Sequence, residues 1–244
     1  MTSDYTPLIE AEDDFEIPHR QFAELRGKCP VAHSDAYNGF WLLTKHADVA
    51  KVAADYTTYT TTVQNVVPRV AFTGRRAPLH LDPPEQTPYR AAINPLLTAD
   101  KVARLEPAIR RHIRAVLLPL LLKGQADICI DFSSIFPVKV FAEWMGIQGR
   151  LEEQLMSAGP AFIKAVQAFD SDAMKTTSLV LYDMARDLIA LRREQPLPVD
   201  VDPTSALLAA RDNNGEPLDP EMIIGSVRQI LVVGIVSPMI MVGT

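Results

Sequence analysis

Between residues 100 and 122 the apolar side chains fall at Val102, Leu105, Ile109, Ile113, Val116 and Leu117. That is the 3.6-residue period of a helix with one apolar face, and a strand has no use for it. Residues 151–169 and 174–193 repeat the pattern, with Asp170-Ser171-Asp172 between them. Lys123-Gly124 ends the first of these helices, and Gly146 ends another over residues 133–145. The chain is predicted to be mainly α.

Strands are expected only as short pieces near the N-terminus. Residues 31–33 and 40–45 flank Asn38-Gly39, a dipeptide that favours hairpins. Helical patterns over residues 18–27 and 46–54 lie on either side. Residues 126–132 read as one more short strand, 205–211 as a short helix, and Asn213-Asn214-Gly215 as a turn. Residues 56–81 are rich in Thr, Val and Pro and hold no steady period. A loop of that length is often a lid or a binding wall.

The chain has 244 residues, which allows one large domain or two small ones. A net charge of -6 argues against a nucleic-acid partner. Two cysteines, Cys29 and Cys129, make no disulfide framework and fit a reducing, cytoplasmic compartment. The N-terminus is acidic and carries no apolar leader. The longest apolar run, residues 230–242, is shorter than the roughly 18 residues of a membrane span. It contains Pro238, so it reads as part of a buried helix over residues 220–244. No H-E-x-x-H, C-x-x-C, G-x-G-x-x-G or P-loop occurs, and no metal-ligand set is assigned.

Asp82-Pro83-Pro84-Glu85-Gln86-Thr87-Pro88-Tyr89-Arg90 opens a helix that continues through AAINPLL. Asp82 can serve as its N-cap, with the prolines in the first turn and Arg90 as a solvated charge. Gln86 and Arg90 are also four apart, on one helix face, where the planar guanidinium suits a carboxylate. Both readings stay open on these residues alone. Arg75-Arg76 reads as a solvated loop feature.

In order, the chain holds CPVAHSD, GFWLLTK, HADV, DPPEQTPYR, LEPAI, ADI, FPVKV and MGI. This order resembles a soluble bacterial cytochrome P-450, a haem-thiolate monooxygenase. The resemblance implies the N-terminal portion of one such domain over residues 1–244, ending inside the long central helix. It implies haem b, with Arg90, Gln86 and, more weakly, His80 near the propionates, and it gives Arg75-Arg76 a place near a propionate or a redox partner as the alternative to a solvated loop. The family's cysteine ligand lies in a later glycine-rich loop that does not occur here, and Cys29 and Cys129 match non-ligand positions. A later glutamate-x-x-arginine pair is also missing.

In the central helix, family members carry a small pair, a variable residue, an acid and a threonine. Here the ungapped register puts Gly234 and Ile235 at the small pair, Ser237 at the acid and Pro238 at the threonine. A one-residue slip would use Val236 and Ser237 instead. Pro238 removes an N–H from the Gly234 carbonyl and could open the groove by sterics, or it is an ordinary proline kink in a buried helix; either way the usual proton delivery is in doubt. The resemblance further implies substrate contacts from the loop over residues 59–79 and from Phe162, Val166, Val233, Gly234 and Val236. It implies a small hydrophobic substrate and a ferredoxin-type redox partner, with no nucleic acid and no membrane. The alternatives are a peroxide-driven or substrate-assisted variant, or a truncated non-catalytic helical protein.

Overall fold

The computed structural model describes residues 5–6, 16–63, 67, 73–168 and 170–243. They belong to two compact units, Met1–Arg69 and Val70–Thr244.

In the first unit, α1 (Glu16–Lys28) precedes a hairpin and α2 (His46–Ala54) follows it. Strands β1 (Val31–Ser34) and β2 (Phe40–Leu43) pair antiparallel, Val31 opposite Leu43 and Ser34 opposite Phe40. The Asn38-Gly39 signal is used, but within a longer connection that begins with a 3-10 turn, Ala36–Asn38. Asn38 and Gly39 take φ of 73° and 88°, the region these two residue types tolerate best.

The second unit is helical. It runs α3 (Thr87–Ile93), α4 (Ala99–Ala103), α5 (Glu106–Lys123), α6 (Phe136–Trp144), α7 (Arg150–Gln167), α8 (Ser171–Glu194), α9 (Pro203–Ala209) and α10 (Pro220–Gly243). Helix α10 is the axis of the core and packs against α6, α7, α8 and α9. Its Val227, Leu231 and Ile235 are fully buried, as are Leu155 of α7 and Leu207 of α9. Two glycines permit the close approaches. A Cβ on Gly225 would run into the carbonyl of Arg75, and one on Gly234 would enter the Phe141 ring.

Polar groups fix the helix ends. Asp170 accepts from Ala173 N at 2.9 Å and starts α8; Asp202 accepts from Ser205 N at 2.6 Å and starts α9. Asp202 also pairs with buried Arg192, whose Nη2 donates to the carbonyls of Met145 and Gly146 at 2.8 and 3.1 Å. One ion pair thus ties α8 to the end of α6 and the start of α9.

Four expectations need correction. Residues 100–122 are two helices, α4 and α5, because Pro107 has no N–H to give and suits only the first turn of a new helix. Residues 126–132 form no strand. Ile128–Ser133 is a π-helical turn, in which Asp127 Oδ1 accepts from Ile130 N at 2.9 Å. Gln86, not Asp82, occupies the N-cap of α3, and a 3-10 turn, Asn94–Leu97, follows the helix. The apolar run lies in a helix that is by length and composition long enough to cross a membrane, and 39% of an 18-residue apolar window of that helix is buried within the protein.

Candidate functional site

One face of α10 presents Ser226, Gln229, Ile230, Val233, Gly234 and Pro238 at helical spacing. Opposite stand Arg90 and Ile93 of α3, Leu96 and Leu97 beyond it, and Phe136, Val140 and Phe141 of α6. Ala77, Pro78 and Leu79 close one side. Together with residues of α4 and α5 they enclose about 670 Å³, the size of a pocket for a cofactor or a drug-sized ligand. The wall is apolar almost throughout. Among the described residues Arg90 is its one charged side chain, and no carboxyl group lines it. Arg90 forms no ion pair among the described residues. Arg90 is exposed to solvent, and a cation beside an apolar wall suits the anionic edge of a largely apolar ligand.

Arg90, Val233, Gly234 and Pro238 therefore share this cavity. Pro78 and Leu79, from the loop expected to contact substrate, line it as well; residues 64–66 and 68–72 of that loop lie outside the described residues. The other candidates stand elsewhere. Gln86 Nε2 donates to the carbonyls of Pro78 and Leu81 at 3.3 and 3.1 Å, bracing the loop against the start of α3. Ser237 is exposed, and neither it nor Val236 is on the wall. Val166 is 37% exposed. Phe162 packs on the core with its ring 5.0 Å from the guanidinium of Arg228.

His80 is buried, and its Nδ1 accepts from Arg76 N at 3.2 Å. Burial first, then the positive charges of Arg76, Arg75 and Arg228, depress its pKa to about 4, so the ring is neutral at pH 7. Arg76 corrects the reading of Arg75-Arg76 as solvated. Arg75 is exposed, whereas Arg76 is buried beside Arg228 and Gln229. Sequence reasoning passed over Arg228. Its signal was a lone charge inside a mostly apolar, otherwise uncharged helical stretch, GSVRQILVVG. Neither cysteine lines the cavity: Cys29 belongs to the first unit and Cys129 is exposed. No cluster of three or more His, Cys, Asp or Glu suited to a metal ion occurs among the described residues.

The helical core with an apolar cavity between α3 and α10 defines the class: a mainly helical protein with a large, mostly apolar pocket. Comparison with known proteins shows what the chain is similar to. The chain is 27% identical over 237 residues to linalool 8-monooxygenase of Pseudomonas putida, covering 90% of this chain and 57% of that protein. It is 25% identical over 226 residues to vitamin D(3) 25-hydroxylase of Pseudonocardia autotrophica, with coverage of 90% and 54%. A Mycobacterium marinum cytochrome P450 solved in complex with pseudoionone superposes with a TM-score of 0.79 at 20% identity, over 93% of this chain and 59% of its own. The chain thus has the fold of the N-terminal portion of cytochrome P450s, with the small sheet, and its curated relatives are cytochrome P450s. It spans a little over half the length of the relatives named here. A family model described as phage tail assembly chaperone protein, TAC, also matches residues 132–235. That match takes in fewer than half of the residues, whereas the P450 similarities take in about nine-tenths.

Proposed function

We propose that residues 1–244 are the N-terminal portion of a single haem-dependent monooxygenase domain acting on a small hydrophobic molecule in the cytoplasm. The supporting observation is the cavity between α3 and α10, apolar except for Arg90. These residues fit one part of a haem pocket. Arg90 would hold a propionate, while Ile93, Val233 and Gly234 would exclude water from the ring and the substrate. When bound, haem supplies the oxygen chemistry. The relatives' names speak of monooxygenation and hydroxylation, which favours the same reaction class here. The iron's thiolate would come from beyond these residues, since Cys29 and Cys129 are off the wall. A ferredoxin-type protein would deliver electrons.

A second reading rests on Pro238. It stands on the wall, it cannot donate an N–H to the Gly234 carbonyl, and no carboxyl accompanies it. A peroxide-driven enzyme, or one whose substrate brings its own acid, suits such a wall.

The test is haem titration of the 244-residue chain, followed by reduction under carbon monoxide. Arg90→Ala is expected to weaken haem binding at least about tenfold, the loss of one charge-assisted pair. The 244-residue chain is expected to lack the strongly red-shifted Soret band of thiolate-ligated haem, which should appear once a C-terminal haem-thiolate segment is joined to it. Unchanged affinity in Arg90→Ala removes the propionate role. A thiolate band from the 244 residues alone removes the assignment of the ligand elsewhere. Failure of even the extended chain to take up haem favours a non-catalytic helical protein.

A further inference from the structure

Arg76 and Arg228 are buried side by side, 9% and 1% exposed. Both guanidiniums converge on a single oxygen. Gln229 Oε1 lies 3.5 Å from Nη1 of Arg76 and 3.3 Å from Nη1 of Arg228. Arg228 Nη2 donates to Ser178 Oγ at 2.8 Å, and its guanidinium faces the rings of Phe162 and Tyr182 at 5.0 and 5.7 Å. Nothing in this shell is an anion. Among the described residues no Asp or Glu forms an ion pair with either arginine. The Nε atom of each is buried with no acceptor among the described residues. Burial first, then the nearby Arg76, brings the Arg228 pKa down to about 10, still well above neutrality. Both side chains are cations at pH 7.

Buried charges are normally paired, because an uncompensated one is strongly destabilising. Here one neutral amide oxygen stands where two guanidiniums call for a negative charge. Gln229 also lines the apolar cavity, with Ser226 and Ile230 beside it. Turning its side chain away would open the pair to that cavity without moving the backbone.

We propose that Arg76 and Arg228 anchor the carboxylate of an otherwise apolar ligand, and that Gln229 Oε1 holds the place of one carboxylate oxygen. The remainder of the ligand lies in the cavity, so the inference rests on the cavity being substrate space. Arg228 and Pro238 are ten residues apart on one helix, about 15 Å along its axis. An acid anchored at Arg228 therefore sends its far end, not its carboxyl group, towards Gly234 and Pro238. A medium-chain or rigid polycyclic monocarboxylic acid has that reach; acetate does not. The carboxyl held at this distance is not the proton donor at Pro238.

The experiment uses the 244-residue chain without haem. Calorimetry and thermal unfolding are followed with decanoate below its micelle concentration, with methyl decanoate and with acetate. Wild type is compared with Gln229→Glu and Arg228→Met. Decanoate is expected to bind about tenfold or more tightly than its ester, as loss of a charge-assisted pair implies. Gln229→Glu supplies the missing carboxylate internally, so its Tm should rise without ligand and its response to decanoate should vanish. Arg228→Met should fold, since apolar replacement of a buried charge is tolerated, and should lose the preference for acid over ester. Equal binding of acid and ester overturns the anchor while leaving an apolar substrate cavity in place. A lower Tm in Gln229→Glu also overturns it. Acetate binding as well as decanoate reduces the site to one for small anions and overturns the apolar ligand. Haem uptake is measured separately, so failure of the monooxygenase reading is visible apart from these outcomes.

Discussion

His80 shows how one buried ring couples stability to pH. Its ordinary pKa of 6.5 falls to about 4 in the folded chain, through burial and then through Arg76, Arg75 and Arg228. The folded state resists the proton that the unfolded chain accepts. Stability from this group is therefore complete above about pH 6.5, falls as pH drops towards 4, and levels off below that. At pH 4.5 the loss should be about 2–3 kcal/mol by linkage. Carboxylates elsewhere titrate in the same range, so the useful quantity is a difference. In urea unfolding at pH 7 and 4.5, wild type should lose about that much more than His80→Asn, whose amide keeps an acceptor for Arg76 N–H. Equal losses in the two proteins refute the assignment. None of this was legible in the sequence, where His80 is an isolated loop histidine. Its burial comes from the fold of residues 76–80 over α10, which no local pattern encodes.

Among the elements, α10 carries both core and cavity. Its apolar character was legible, and so was the proline within it. Less legible was the reason for Gly234. The register against cytochrome P450s led to the expectation of a small-residue position there, whereas in the packing it is the spot on which the Phe141 ring rests. A methyl group there meets the ring face, and overpacking of this kind costs about 1–3 kcal/mol. Gly234→Ala is expected to lower Tm by several degrees, and Phe141→Leu in the same chain should restore part of the loss. Strict additivity in the double mutant argues against their contact. The π-helical turn marks the opposite case. Alternating Ile128, Ile130 and Phe132 resemble a strand, yet Ile128 and Ile130 are 52% and 68% exposed and gain nothing from alternation. Two aspartates decide the outcome, Asp127 by accepting from Ile130 N and Asp131 by accepting from Asp127 N. Short polar side chains that satisfy local backbone donors outweighed a weak periodic signal.

For the whole molecule, the long amphipathic helices and their order were legible because each carries its own period. The hairpin was legible through Asn38-Gly39, whereas the division at residues 69–70 lies in a stretch with no period to read. The two units differ in how much they bury. In α1 and α2 no residue is buried, and in the hairpin only Ala32 and Ser34 are. In the second unit α8 alone buries Leu181, Met184, Leu188 and Ile189, and α10 buries Val227, Leu231 and Ile235. Local opening free energy follows buried apolar contact, so the units should not open together. In native-state hydrogen exchange, the ladder amides of β1 and β2 should exchange through low-energy openings that urea barely affects. Amides in the middle of α8 and α10 should exchange only through an opening that exposes much surface and depends steeply on urea. The same high free energy and urea dependence at both sets of amides would mean that the chain unfolds as one cooperative body despite its uneven core.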